Sequence, residues 1–395
     1  MLDATLRNRV GQLLSASRRS DVPPFMVMDV MAAAERIEAA GGHVIRMEVG
    51  QPAAPAPRAA LAAAHRALDA GRIDYTSALG TPALRERIAR HYRDSYGCAV
   101  DAGRIVVTTG SSGAFILAFL AMFEPGDRVA VTVPGYPPYR HILTALGCEP
   151  VLIETTSETR HALTGEALLA AHRKTPLQGV LVGSPANPTG TMMSREALTQ
   201  LIAAAEGAGI RFISDEIYHG LDYAFPAVTA AELSANALVI NSFSKYFCMT
   251  GWRVGWMVAP EPLVRPIERL QQNLAISVPT LSQIAAEAAF DGFEEMEAIK
   301  RGYLENRRIL IEGLPRAGLS KFLPADGAFY LYADVSDFTS DSFAFAKTML
   351  DEAHVAVTPG VDFDPFHGRS FMRFSYARSA EDMREAVARI ARWLG

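Results

Sequence analysis

Between about residues 100 and 260, short β-branched and apolar runs alternate with longer stretches of helical length. The runs are Arg104–Thr109, Arg128–Val133, Glu149–Ile153, Gly179–Gly183, Ile210–Ser214, Leu238–Asn241 and Val254–Val258. Most are continuously apolar rather than alternating, the pattern of strands covered on both faces. Ser111–Phe123, Tyr136–Leu146 and Ser194–Gly207, lying between them, have the length and composition of helices. Repeated strand–helix units predict an α/β domain with helices flanking a mostly parallel, seven-stranded sheet.

After residue 260 the pattern changes. Helical stretches (Glu261–Asn273, Thr280–Phe290, Glu294–Ala317) lead into strand signals at Ala328–Val335, Val355–Thr358 and Phe371–Tyr376, and a last helix over Ser379–Trp393. The first 49 residues hold one helical stretch, Met26–Ala40, and the strand-like His43–Val49. The expected organisation is a large α/β domain over residues 50–275. Residues 1–49 and 276–395 would form an N-terminal arm and a smaller α+β domain.

Composition narrows the function classes. Of 395 residues, 49% are hydrophobic and 21% charged, too apolar for a disordered chain. The charge balance is 38 − 43 = −5, and no basic stripe interrupts it, which argues against nucleic acid as a partner. Three cysteines (Cys98, Cys148, Cys248) make no disulfide framework and fit a reducing compartment. Met1–Gln12 has no apolar stretch of the kind a secretory signal needs. The longest apolar run, Ala114–Phe123, is ten residues, against about 20 for a membrane span. A cytoplasmic protein with no membrane partner is expected.

In open α/β sheets ligands bind beyond the carboxyl ends of the strands. Five strand candidates are followed there by chemistry: Gly110-Ser111-Ser112-Gly113, Pro134-Gly135-Tyr136, Asn187-Pro188-Thr189-Gly190, Asp215-Glu216-Ile217-Tyr218 and Ser242-Phe243-Ser244-Lys245. On a parallel sheet these meet at one edge. They offer an anion cradle, an aromatic face, an amide, a carboxylate, a phenol and an amine. That set suits pyridoxal 5′-phosphate (PLP): a lysine can form a Schiff base with its aldehyde, and a carboxylate can keep its pyridine nitrogen protonated.

Ser242-Phe243-Ser244-Lys245, with Arg253 in Thr250-Gly251-Trp252-Arg253-Val254-Gly255, resembles the lysine motif of class I/II aminotransferases of PLP fold type I, the aspartate/aromatic type. Asn187-Pro188-Thr189-Gly190, Asp215-x-x-Tyr218 and Phe371-Met372-Arg373-Phe374-Ser375-Tyr376 match in the family's order, as do Gly50-Gln51-Pro52 and Tyr75-Thr76 before Gly80. The resemblance spans nearly the whole chain. It implies an enzyme that moves an amino group between an L-amino acid and a 2-oxo acid, through a lysine aldimine and pyridoxamine phosphate.

The roles it implies are specific. Lys245 would hold the cofactor and then shuttle the substrate's α-proton; Asp215 would pair with the pyridinium nitrogen. Tyr218 and Asn187 would donate to the ring oxygen. Ser111, Ser112, Ser242 and Arg253 would hold the phosphate, with Tyr136 against the ring face. Tyr75 would reach the phosphate of a neighbouring subunit, making the active unit a homodimer with composite sites. Arg373, aided by Asn187 and the Gly50 backbone, would clamp the substrate carboxylate in a two-bond fork. No metal is expected, because neither the histidines nor the cysteines show ligand spacing.

Three other readings compete. A carbon–sulfur β-lyase would share the Lys245, Asp215, Tyr218, Arg253 and Arg373 requirements, so these motifs do not separate it. A non-catalytic PLP-binding regulator would carry a DNA-binding module, for which residues 1–49 leave little room. A nicotinamide dehydrogenase would need a Gly-x-Gly-x-x-Gly turn, and Gly110-Ser111-Ser112-Gly113 is not one. The side-chain pocket is expected from Pro23–Met28, Tyr75–Leu79 and Ile276–Pro279, whose apolar Phe25, Met26, Val27 and Ile276 favour a neutral or aromatic amino donor. Only Arg18 and Arg19 stand near as cations for a side-chain carboxylate. Phe363-Asp364 departs from the Phe-Gly that relatives often carry.

Overall fold

The seven apolar runs pair into one sheet: β1 (Ile105–Thr108), β2 (Arg128–Val133), β3 (Glu149–Glu154), β4 (Gly179–Gly183), β5 (Arg211–Asp215), β6 (Leu238–Ser242) and β7 (Gly255–Val258). Their order across the sheet is β1-β7-β6-β5-β4-β2-β3. This is a computed structural model, and it describes residues 13–395. Met1–Gln12, read above for its lack of a signal-like stretch, lies outside the described residues.

Every neighbour pair from β3 to β6 is parallel, while β7 runs antiparallel to both β1 and β6. That reversal matters for the site. Gly255, the first residue of β7, pairs with Thr108 and Ser242, the last residues of β1 and β6. The turn carrying Arg253 therefore reaches the same edge as the carboxyl ends of the parallel strands.

Alternate residues of each strand feed two cores. Val106, Ile213, Ile240 and Met257 pack with Ala114, Phe115, Ala118 and Phe119 of the helix Gly110–Met122. Ile105, Val107, Val180, Phe212 and Val239 face the opposite layer. Three helices that the hydrophobic pattern did not suggest fill out this body: Arg58–Asp69, Pro82–Tyr96 and Gly165–Lys174. The first buries only alanines (Ala60, Ala63, Ala64), which give little contrast between faces. The second carried local signals all the same: the Thr81 side chain caps the Leu84 N–H, proline stands in the first turn, and Gly97 ends it at φ +65°.

The helix Thr280–Ala289 belongs with the large sheet. Val278, Ala285, Ala286, Ala289, Phe290 and Met296 share its core with Ala60 and Ala64, where small residues let two helices approach closely. This helix, which lies beyond the division expected at residue 275, thus packs in the core of the large sheet. The long helix Phe293–Gly313 leads away into the second body.

That body is built on a four-stranded antiparallel sheet in the order Thr358–Pro359, Phe371–Ser375, Tyr330–Asp334, Lys321–Phe322. Leu331, Ala333, Met372 and Phe374 turn one face into a core with the helices Phe293–Gly313, Ser342–Ala353 and Ala380–Leu394. On the other face Arg373 stands opposite Tyr332 and Thr358. The expected strand His43–Val49 shortens to Ile45–Arg46, paired in parallel with Val355–Ala356. Among the described residues no helix is long and apolar enough to cross a membrane.

Candidate active site

The strand ends and the second body enclose a cavity of about 200 Å³. Ser111, Ser112, Tyr136, Asn187, Asp215, Tyr218, Lys245 and Arg253 line it from the large body, and Tyr330 and Arg373 from the small one. Phe25, Val27, Met28, Gly50 and Gln51 close it from the N-terminal side. The lining residues from Ser111 to Arg253 converge because five parallel-strand ends and the start of β7 share one edge.

Three cations (Lys245, Arg253, Arg373) face a single carboxylate, Asp215, in this lining. Among the described residues none of the three cations has a carboxylate within salt-bridge distance. Lys245 Nζ donates to the Gly50 carbonyl at 2.6 Å. Burial, and then the positive charges of Arg373 and Arg253, bring its pKa down to about 8, with Asp215 opposing. A free amine is therefore well populated just above neutrality. Asp215 moves the other way, up to about 6, because burial penalises its charge more than the hydrogen bonds from Tyr139 and the Ile217 N–H relieve it.

At one end of the cavity an anion cradle is built from backbone. Among the described residues no side chain caps the start of the helix Gly110–Met122, so its first N–H groups are left for a ligand. Gly110 has φ +68°, and a Cβ there would come within 2.6 Å of the Arg253 guanidinium. At Gly255 a Cβ would press to 3.2 Å from the Ser111 nitrogen. Both glycines thus hold space at the cradle that any side chain would take. Arg253 itself is fixed by a 2.9 Å bond from Nη1 to the Thr250 carbonyl.

At the other end sits Arg373, only 2% exposed. Its guanidinium lies between the rings of Tyr330 and Phe363, 4.5 and 4.7 Å from their centroids. Nη1 donates to Asn187 Oδ1 at 2.9 Å; Nη2 donates to the Glu48 carbonyl and to Thr358 Oγ1. A buried guanidinium with neutral partners and no counter-ion is a costly arrangement unless an anion completes it.

Two expected residues stand off the cavity wall. Ser242 is buried, bonding to Ser244 Oγ at 2.9 Å and the Val254 carbonyl at 3.2 Å, and it is Ser244 that reaches the lining. Tyr75 is 80% exposed on the surface. Of the three segments expected to shape the side-chain pocket, only the first lines it, through Phe25, Val27 and Met28; Arg18, Arg19 and Ile276 are exposed elsewhere. Phe25 meets Tyr136 edge-on at 5.9 Å. The Phe363-Asp364 departure is absorbed locally: Asp364 Oδ1 accepts from the Phe366 and His367 N–H groups, and Phe363 stays against Arg373.

Sequence reading did not single out Tyr139, Tyr330 or Thr358, and it noted Phe363 only as part of a departure from relatives, not as a partner of Arg373. Tyr139 donates to Asp215 Oδ2 from 76 residues away. Tyr330 meets Tyr218, oxygen to oxygen, at 2.8 Å. The strand pattern around 328–335 and 371–376 could have put Tyr330 on Arg373's face, but nothing in it gives the register.

The donor set fits PLP. Two cations and free backbone N–H groups at the two ends suit a phosphate and a carboxylate, and an amine and a lone buried carboxylate lie between them. Comparison with known proteins gives the same picture. The family described as "Aminotransferase class I and II" matches residues 42–390. A valine–pyruvate aminotransferase of Mycobacterium tuberculosis is 48% identical over 380 residues, covering 95% of this chain and 97% of that protein. A (5-formylfuran-3-yl)methyl phosphate transaminase of Methanocaldococcus jannaschii is 34% identical over 94% of this chain and 96% of its own length. The crystal structure of an aminotransferase from Mycobacterium tuberculosis superposes with a TM-score of 0.94 at 47% identity, covering 96% of this chain and 99% of that one.

Proposed function

The chain belongs to the class I and II aminotransferases, and from that premise we propose that its amino donor is a small, neutral, branched or linear aliphatic L-amino acid of the valine type, with pyruvate as an acceptor. It is a PLP-dependent transaminase, moving an amino group between an amino acid and a 2-oxo acid. When bound, PLP supplies an aldehyde that bonds to amines and a protonated pyridine ring that accepts the electron pair left when an α-proton departs.

The chain's residues divide the remaining work as follows. Lys245 Nζ would hold the cofactor and, as a free amine, would take the proton from the substrate α-carbon and, in the return half, give one to the α-carbon of the acceptor. Its lowered pKa suits that exchange near pH 8. Asp215 keeps the ring nitrogen protonated. Tyr218 and Asn187 donate to the ring oxygen, Tyr136 lies against the ring, and the start of the helix Gly110–Met122 with Arg253 takes the phosphate. The hydroxyl we assign to that phosphate set is Ser244's, positioned by Ser242. Arg373 takes the α-carboxylate and so fixes which way the α-hydrogen faces.

The observation that supports the donor class is the wall of Phe25, Val27 and Met28, with no cation beyond the three already used among the described residues that line the cavity. Among those residues a side-chain carboxylate finds no partner. With pyruvate as acceptor, kcat/KM for valine should exceed that for aspartate by at least about 100-fold. Comparable values for the two would overturn the assignment.

We also propose a homodimer acting in the cytoplasm. Leu68, Ile73, Tyr75, Leu274 and Ile276 are large apolar side chains left exposed. The loops bearing them are tied together, Thr76 N–H to Ser277 Oγ at 3.4 Å and Thr280 Oγ1 to the Asp74 carbonyl. Ser282 Oγ then bonds the Trp252 carbonyl at 2.7 Å, beside Arg253. A second copy covering this face would bring its Tyr75 towards the phosphate end of the cavity. Sedimentation at micromolar concentration should give twice the chain mass; a monomer that still turns over would contradict composite sites.

A further inference from the structure

We propose that Tyr330 is a positioning residue with two separable parts: its hydroxyl orients the Tyr218 phenol, and its ring holds the Arg373 guanidinium. The proposal rests on the site reading above, in which Tyr218 donates to the cofactor's ring oxygen and Arg373 takes the substrate carboxylate.

The geometry places Tyr330 between them. Its Oη is 2.8 Å from Tyr218 Oη, and its ring centroid is 4.5 Å from the Arg373 guanidinium carbon. The two rings of the tyrosine pair meet edge-on, 5.7 Å apart at 80°. Tyr330 is 1% exposed, and a Cβ at residue 50 would fall 1.7 Å from its hydroxyl, so Gly50 is what leaves the hydroxyl its place. The same Gly50 offers its carbonyl to Lys245 Nζ. One phenol thereby touches the elements that hold the ring oxygen, the carboxylate clamp and the amine.

The direction of the hydroxyl bond follows from proton count. Either phenol could donate across the 2.8 Å contact, but Tyr218 has one proton, and the site reading gives it to the cofactor's ring oxygen. Tyr330 is then the donor and Tyr218 Oη the acceptor, which leaves the Tyr218 proton to point into the cavity. Accepting a hydrogen bond also makes Tyr218 a stronger donor. The ring contributes separately: with Phe363 it sandwiches a guanidinium that has no counter-ion among the described residues, holding its plane for a two-bond fork to a carboxylate.

Two variants separate the parts. Tyr330→Phe removes the hydroxyl alone; Tyr330→Leu removes the ring as well. The first measurement is the pH midpoint of the visible absorbance change in the PLP-loaded protein. A weaker donor at the ring oxygen disfavours the negative oxygen, so both variants should raise the midpoint by about 0.5 to 1 unit. The second is the dissociation constant for isovalerate, which has valine's carboxylate and side chain but no amine. Tyr330→Phe should leave it within about twofold, while Tyr330→Leu should weaken it roughly fivefold or more. An unmoved midpoint in Tyr330→Phe, or equal loss of isovalerate binding in both variants, overturns the assignment. Should the wild-type protein fail to link PLP to Lys245 on borohydride reduction, read by mass, the cofactor reading falls and Tyr330's part in it falls too.

Discussion

Replacing Lys245 with alanine removes transamination altogether, with kcat reduced by roughly 10⁵-fold or more. Two functions vanish with one amine. The covalent hold on the cofactor is lost, and so is the only amine among the described residues of the cavity that could carry the α-proton. Their losses compound because both steps lie on the path of every turnover. The fold should survive: among the described residues Lys245 Nζ makes one hydrogen bond, to the Gly50 carbonyl, and no ion pair. The pH dependence of cofactor attachment gives a second check on the native residue. Since the amine's pKa is brought down to about 8, the rate at which PLP links to the apoprotein should rise between pH 7 and 9 with a midpoint near 8. An ordinary lysine would keep rising past pH 10.

Replacing Asp215 with asparagine lowers kcat about 1000-fold while PLP still links to Lys245. The carboxylate is 4% exposed, and its two oxygens accept from Tyr139 and the Ile217 N–H. Asparagine has the same shape and can keep one of those bonds, so packing changes little. It cannot hold a proton on the ring nitrogen, since its charge is gone and its NH₂ would itself present a donor there. In a site screened from water, loss of that charge is felt at close to full strength. Single-turnover absorbance after mixing with valine should show the chemical step slowed. A slowed step with normal cofactor attachment separates this from simple loss of binding; unaltered kcat in Asp215→Asn would contradict the assigned role.

Much of the site was legible in the sequence because its residues follow strands. Ser111, Tyr136, Asn187, Asp215 and Lys245 each come directly after a short apolar run, and a parallel sheet brings all such positions to one edge. Arg253 precedes its strand. It reaches that edge only because β7 runs antiparallel, with Gly255 in register with Thr108 and Ser242, and no local pattern states that reversal. The packing of the helix after residue 275 was hidden for a related reason. Thr280–Ala289 packs by small residues against Ala60 and Ala64, some 220 positions back, and alanine faces carry little hydrophobic contrast.

The supporting residues were hidden by distance along the chain. Tyr139 reaches Asp215 across 76 positions, Tyr330 reaches Tyr218 across 112, and Arg373 reaches the Glu48 carbonyl across 325. A tyrosine in a helix or a strand looks the same whether it fills a core or positions a catalytic acid. The register that makes Tyr330 a neighbour of Arg373 comes from pairing in the second body, set by the alternation of Leu331, Ala333, Met372 and Phe374 into its core.

The central claim is that Lys245 and its surroundings pass an amino group in two halves. It is tested most directly by following the visible absorbance of the PLP-loaded protein while adding valine and then pyruvate. The account predicts that valine alone removes the band of the Lys245-bound cofactor, releasing one equivalent of the matching 2-oxo acid, and that pyruvate restores it. A band that stays unchanged with every neutral amino acid, or steady release of ammonia without any oxo acid acceptor, would contradict it.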